Sequence, residues 1–116
     1  MRRYSLDRMP PAEQEAVVAR MRAESAMALR QTLNWWLDPF MTTSVGPGPL
    51  PGPVLALAGE RDSVHPPQTV AQTAERIGAA YEVLPGMSHW LPGEPGWEGV
   101  AERVLRWLAE AVRNAL

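Results

Sequence analysis

One carboxylate and one imidazole follow the two most strand-like segments of this sequence. Asp62 lies four residues after the apolar run 54–58, and His89 lies five residues after Ala80–Leu84. Neighbouring strands of a sheet are ~4.8 Å apart, so loops that leave the same edge of a parallel sheet can bring the two side chains together. The carboxylate would then fix the tautomer of the imidazole, and the second ring nitrogen could act as a general base.

The elements around these two residues indicate an α/β fold. The run 54–58 is continuously apolar and bounded by Pro and Gly, which predicts a strand buried on both faces. Pro67–Ile77 reads as a helix that ends at Gly78. Trp97–Ala115 is the clearest helix, because apolar residues recur every four positions at Val100, Val104, Leu108 and Val112. We therefore expect a short parallel βαβ unit with a closing helix.

The N-terminal part of the chain is predicted to be helical and separate from this unit. After an irregular start, helical patterns run over 11–22 and 24–37. Residues 46–53 read Gly-Pro-Gly-Pro-Leu-Pro-Gly-Pro, which suits neither a helix nor a central strand and predicts a connector. The expected division is a helical segment at 1–45, the connector, and an α/β segment at 54–116.

Two stretches of the α/β segment resemble a known family. Residues 53–67, PVLALAGERDSVHPP, are similar to the acid-bearing strand and turn of α/β-hydrolases, with Asp62 at the acid position. Residues 84–90, LPGMSHW, resemble the histidine loop of the same family, with His89 as the base. The separation of 89 − 62 = 27 residues suits one intervening helix and strand.

The resemblance covers 53–112, about half of the chain, and includes Glu94-Pro95 followed by a final helix. It implies a partial α/β-hydrolase fold in which Asp62 orients His89. The complete enzyme would hydrolyse a small-molecule ester-like substrate, in an esterase/lipase-like or epoxide-hydrolase-like reaction, without a cofactor. By position, the helices within 1–45 resemble the end of the helical cap, or lid, of such enzymes.

The chain departs from this family at the nucleophile. The family requires a serine or equivalent in a Gly-x-Ser-x-Gly elbow. None of the five serines has glycines at that spacing: Ser5, Ser25, Ser44, Ser63 and Ser88. The oxyanion loop is missing as well, so we expect this chain alone to be inactive and to represent a truncated or split enzyme. Its partner would be the missing N-terminal half or a second copy of the chain. The alternative is a non-catalytic interaction module or a degenerate remnant.

Each site residue also has a structural interpretation. Asp62 on its own could cap the turn before a helix, and His89 could be a hydrogen-bonded loop histidine. His65 is interpreted as a solvent-facing turn residue. A metal site formed by Asp62, His65 and His89 is conceivable, but no histidine pair at helical spacing supports it, and we expect no metal.

Two tryptophans are candidates for a substrate pocket. Trp90 follows the predicted base directly, which favours a place in a pocket wall. Trp36, beside Trp35, could form such a wall under a lid, although packing between helices is the more common role of an aromatic pair.

Composition narrows the classes of function. The net charge of −2 provides neither the basic footprint of a nucleic-acid-binding protein nor a polybasic membrane anchor. Cysteine is absent, which excludes disulfides, thiolate nucleophiles and cysteine-ligated metals.

No signal peptide or membrane-spanning run is visible, so a cytoplasmic location is expected. All 11 basic residues apart from histidine are arginine, which hints at a GC-rich bacterial genome.

Overall fold

The computed structural model describes residues 5–23, 25–34 and 48–115. Within these ranges the chain forms four helices and two strands. In chain order they are α1 (Pro11–Arg20), α2 (Ala26–Leu33), β1 (Leu55–Gly59), α3 (Pro67–Ile77), β2 (Ala80–Leu84) and α4 (Trp97–Ala115).

The two strands pair in parallel, with Leu55 opposite Ala80 and Gly59 opposite Leu84. The chain passes from β1 to β2 through α3, which packs against both strands. The prediction of a small α/β unit with a parallel βαβ arrangement is therefore confirmed. This topology places the loops that follow β1 and β2 at the same edge of the sheet, where Asp62 and His89 lie.

Proline and glycine set the bounds of α3. Pro67 occupies the first turn, where its missing N–H leaves no hydrogen bond unmade. Gly78 ends the helix in the left-handed region, with φ of 69°, and its N–H donates to the carbonyls of Ala74 and Glu75. Glycine adopts this backbone conformation without steric cost, so the predicted end of the helix at Gly78 is confirmed.

The strands are less buried than the continuous apolar run predicts. In β1 only Ala58 and Gly59 are buried, and in β2 only Leu84. Tyr81 and Val83 of β2 are 37% and 36% exposed. The prediction of a strand buried on both faces thus holds only at the carboxyl end of β1, because two strands and their helices do not cover both faces of the sheet. The well-packed end is the one that carries Asp62 and His89.

Both N-terminal helical segments form helices. The helix predicted over 11–22 ends at Arg20. The helix predicted over 24–37 is observed at Ala26–Leu33, and residues 24 and 35–37 of its predicted range lie outside the described residues. Ser25 caps α2 by accepting a hydrogen bond from the N–H of Ala28. The apolar side chains of α2 face solvent in the described residues, namely Met27, Leu29 and Leu33.

Residues 6–10, just before α1, have the irregular backbone that the sequence predicts, but they also contribute to the core, which was not predicted. Leu6 is 1% exposed and Met9 is 7% exposed, and the N–H of Met9 donates to the carbonyl of Leu6. Met87 of the histidine loop is buried as well. A one-turn segment has no periodicity for a sequence pattern to display, so its burial depends on the tertiary structure.

Helix α4 is amphipathic, as its sequence predicts, and has the predicted bounds. Its predicted apolar face is only partly covered: Val100 and Val104 are half-buried, whereas Leu105, Leu108 and Val112 are exposed by 45–65%. Arg103 of the same helix forms an ion pair with Glu82 of β2. Across the described ranges, no helix combines the length and apolar character needed to cross a membrane.

Candidate functional site

Asp62 and His89 are in hydrogen-bonding contact. The Nδ1 atom of His89 lies 3.0 Å from Oδ2 and 3.2 Å from Oδ1 of Asp62. The Asp62 side chain is 8% exposed and the His89 side chain 27% exposed, so the carboxylate is covered and the imidazole reaches solvent. The structure thus brings together the two residues that the sequence analysis selected.

The turn that carries Asp62 is held by the carboxylate itself. Oδ1 of Asp62 accepts hydrogen bonds from the N–H of Val64 at 2.8 Å and of His65 at 2.9 Å. Burial raises the pKa of Asp62, but the hydrogen bonds from His65, His89 and Val64 together outweigh it and hold the pKa below 3.8. The residue is therefore a carboxylate at neutral pH. The turn-capping role and the pairing with His89 coexist, because Oδ1 accepts the backbone hydrogen bonds of the turn while Oδ2 is the oxygen nearer to Nδ1 of His89.

The loops of the acid and the base are joined by main-chain hydrogen bonds. The N–H of Glu60 donates to the carbonyl of Leu84 at 3.1 Å, and the N–H of Arg61 donates to the carbonyl of Met87 at 2.8 Å. This close approach requires glycine at the end of β1. A Cβ at Gly59 would lie 2.8 Å from the Met87 carbonyl oxygen and closer still to that of Ser88. Gly59 thus permits the contact that places the imidazole beside the carboxylate.

Buried polar groups hold the histidine loop on its other side. Ser88 is fully buried; its N–H donates to Oε1 of Glu94 at 2.5 Å, and its hydroxyl donates to Oδ1 of Asp7 at 2.6 Å. Glu94 is also fully buried, and its Oε2 has no hydrogen-bond partner among the described residues. The hydroxyl of Ser88 is therefore committed to Asp7, and the residue serves to position the loop that carries His89.

The geometry suits general-base chemistry at His89. In the tautomer that protonates Nδ1, the ring donates to Asp62, and Nε2 becomes the acceptor nitrogen. No hydrogen bond involves Nε2 in the part of the chain that is described. An Asp–His pair of this kind holds the imidazole in one orientation and stabilises the imidazolium that forms when Nε2 takes a proton.

A second imidazole lies against the first. The ring of His65 stacks on that of His89, with 5.2 Å between ring centroids and 21° between ring planes. His65 is exposed, as expected for a turn residue, but its contact with His89 was not predicted.

Of the two tryptophans predicted to line a substrate pocket, the structure describes only Trp90. Trp90 is half-buried, and its ring lies over the backbone of Gly93, where a Cβ would be 3.2 Å from three ring atoms. Trp36 lies outside the described residues, as does Trp35. Two clefts among the described residues run along α4, and neither Trp90 nor His89 lines these two. The assignment of either tryptophan to a substrate pocket stays a prediction.

Four residues of this site were missed or given another role by sequence reasoning. Asp7, Gly59, His65 and Glu94 act through contacts with distant parts of the chain. The local sequence contained a usable signal for only two of these four residues. Gly59 stands at the junction between an apolar strand and a polar turn, and Glu94 precedes a proline in the loop after the base. Nothing in the local sequence of Asp7 points to Ser88, which is 81 residues away.

The lowered pKa of Asp62 predicts acid-dependent stability. A carboxylate with a lower pKa in the folded than in the unfolded chain stabilises the fold above the unfolded value and loses that effect as pH falls through the folded value. We therefore expect the free energy of unfolding to decrease as pH drops from about 4, with a smaller decrease in Asp62→Asn. Urea unfolding between about pH 3 and pH 6 measures this. Glu102→Gln, which removes an exposed carboxylate from the middle of α4, is the control for the loss of one negative charge.

Comparison with known proteins gives no relative whose site could be matched to this one. No protein-family model, no curated protein and no solved structure matches the chain.

Proposed function

We propose that this chain is the C-terminal part of an α/β-hydrolase, in which Asp62 orients His89 and His89 acts as the general base. The observation that carries the proposal is the 3.0 Å contact between Oδ2 of Asp62 and Nδ1 of His89 at the carboxyl ends of two parallel strands. This is the edge at which catalytic groups lie in open α/β sheets.

Further support comes from the way in which Asp62 and His89 are held in place before any substrate binds. The carboxylate is covered and held by two backbone N–H groups, while the imidazole stays accessible. Main-chain hydrogen bonds join the two loops, and buried Ser88 and Glu94 hold the histidine loop. A general base works best when its orientation is set before the substrate arrives, and this arrangement does that without any group from outside the described residues.

The complete enzyme would need a nucleophile and an oxyanion hole from another part of the polypeptide. The base would activate a serine hydroxyl, or a water molecule that attacks an ester of an aspartate nucleophile. Ester-like small molecules are the proposed substrate class. The missing half would also extend the sheet beside β1 and cover apolar surface that is exposed in the described residues, such as Tyr81 and Val83.

A second candidate is a non-catalytic interaction module. Each of α2 and α4 exposes large apolar side chains, which favours this candidate because exposed apolar patches are typical of protein–protein contacts. In that case the partner would be a second copy or another chain, and the Asp62–His89 pair would serve only to hold two loops together.

The proposal is tested with an activated ester such as p-nitrophenyl acetate. The chain by itself should show no turnover above background, because none of its serines stands in an elbow. The same chain, extended by the coding sequence upstream of it, should hydrolyse the ester. Turnover by the short chain that disappears in His89→Ala would contradict the first expectation. Upstream codons without Gly-x-Ser-x-Gly or an aspartate variant would instead favour the interaction module.

A further inference from the structure

We infer that Asp62, His65 and His89 together bind a divalent transition-metal cation, with Zn²⁺ as the best fit. Each residue offers one ligand atom, and these atoms all lie within 4.8 Å of one another. The sequence argued against such a site because no histidine pair stands at helical spacing. The structure supplies the pair by another route, since the turn after β1 and the loop after β2 meet at one edge of the sheet.

One pair of ligands already has the spacing that a metal requires. Ligand atoms at ~2.0–2.1 Å from a shared zinc ion are ~2.8–3.4 Å apart when the bonds meet at angles between 90° and 109°. Oδ2 of Asp62 and Nδ1 of His89 are 3.0 Å apart. A cation bound to both atoms would lie off the line that joins them, so the two atoms can keep their separation while the His89 ring turns to aim Nδ1 at the ion.

His65 completes the site by a change in its side chain alone. Its ring now stacks on His89, so the lone pairs of the two rings do not converge on one point. The side chain is exposed and can rotate, whereas its backbone is anchored by the hydrogen bond from its N–H to Oδ1 of Asp62. A rotation that brings one ring nitrogen toward Oδ2 closes the set of three ligands.

The surroundings of Asp62 resemble the outer shell of a metal site. Oδ1 accepts hydrogen bonds from Val64 and His65, which orients the carboxylate and leaves Oδ2 for a ligand bond. Outer-shell hydrogen bonds of this kind fix ligands in place and strengthen metal binding. The main-chain hydrogen bond from Arg61 to Met87 keeps the two loops in register.

The ligand set selects the class of cation. Two imidazoles and one carboxylate suit Zn²⁺ and its neighbours Co²⁺, Ni²⁺ and Cu²⁺, whereas Ca²⁺ and Mg²⁺ prefer oxygen ligands alone. Three protein ligands leave a fourth position for water. Because the ion would use Nδ1 of His89, it would displace the hydrogen bond to Asp62. A bound ion and the proposed acid–base pair would therefore exclude each other in any one molecule, and the inference does not depend on the acid–base function.

The test is a calorimetric titration of the untagged chain with ZnCl₂, with MgCl₂ as the reference cation. We expect one Zn²⁺ per chain and no binding of Mg²⁺ under the same conditions. His65→Gln should weaken Zn²⁺ binding by at least about tenfold, because even the loss of an outer-shell partner has an effect of that size. The substitution lies at an exposed side chain, and circular dichroism would verify that the fold is kept.

A second measurement identifies the ligands directly. The chain has only two histidines, so its NMR spectrum contains two sets of imidazole resonances. Both sets should shift together at one equivalent of Zn²⁺. The inference is overturned by absence of Zn²⁺ binding, by one ion for every two chains, by equal affinity in His65→Gln, or by a shift of one imidazole only.

Discussion

Gly59→Ala should disrupt the edge of the sheet that carries Asp62 and His89. The added Cβ would meet the backbone carbonyls of Met87 and Ser88 at less than 3 Å, and backbone atoms cannot move aside as a flexible side chain can. We expect a loss of about 3 kcal/mol in the free energy of unfolding, at the upper end of the usual range for overpacking. Urea unfolding followed by circular dichroism measures the change.

A matched substitution separates this contact from the general effect of replacing glycine. Gly99 lies in α4, and a Cβ there would meet nothing within 4 Å. Gly99→Ala should raise the free energy of unfolding by up to about 1 kcal/mol, because alanine is the better helix former. An unchanged denaturation midpoint in Gly59→Ala would mean that the two loops are not as close as described.

Asp62→Asn should abolish most of the activity of the enzyme that contains this chain together with its upstream sequence. Asparagine keeps an oxygen for the N–H groups of Val64 and His65, so the turn survives. Its amide cannot stabilise an imidazolium, and it favours the wrong tautomer of His89. In a Ser-His-Asp triad this change lowers kcat by ~10⁴-fold, and we expect a similar loss here.

Three further variants test whether the loss of activity comes from the Asp62–His89 pair. His89→Ala should be at least as damaging as Asp62→Asn, and the double variant should lose little more, because the two residues act as a unit. Ser63→Ala removes an exposed hydroxyl from the same turn and should leave kcat unchanged. A kcat of Asp62→Asn within a factor of about ten of the wild-type value would remove Asp62 from the acid role.

Much of the α/β unit could be predicted because its signals are local. Pro67 and Gly78 mark the ends of α3 through the backbone conformations that they favour. Helix α4 displays its apolar repeat over 19 residues, and β2 has the bounds that its apolar run indicates. The first N-terminal helix was predicted to end at 22 but ends at Arg20, because helical propensity alone does not fix the end of a short helix.

The pairing of Asp62 with His89 was predictable for a topological reason. Each residue follows a strand at a short distance, and one helix connects those strands, so a parallel arrangement brings both loops to one edge. The details of the contact were not predictable. Both carboxylate oxygens lie within 3.2 Å of Nδ1, and Oδ1 also caps the turn at Val64 and His65; these contacts depend on the path of the backbone.

The sequence by itself determined the order of the elements, their approximate bounds, and the acid and base that they present. Only the tertiary structure decided what surrounds that pair. It brings the carbonyls of Met87 and Ser88 against Gly59 and stacks His65 on His89. It also joins buried Ser88 to Asp7 and Glu94. The physical reason is the range of the interactions. Backbone preferences and apolar periodicity act over a few neighbouring residues, whereas these contacts join residues that are brought close only after the strands have paired.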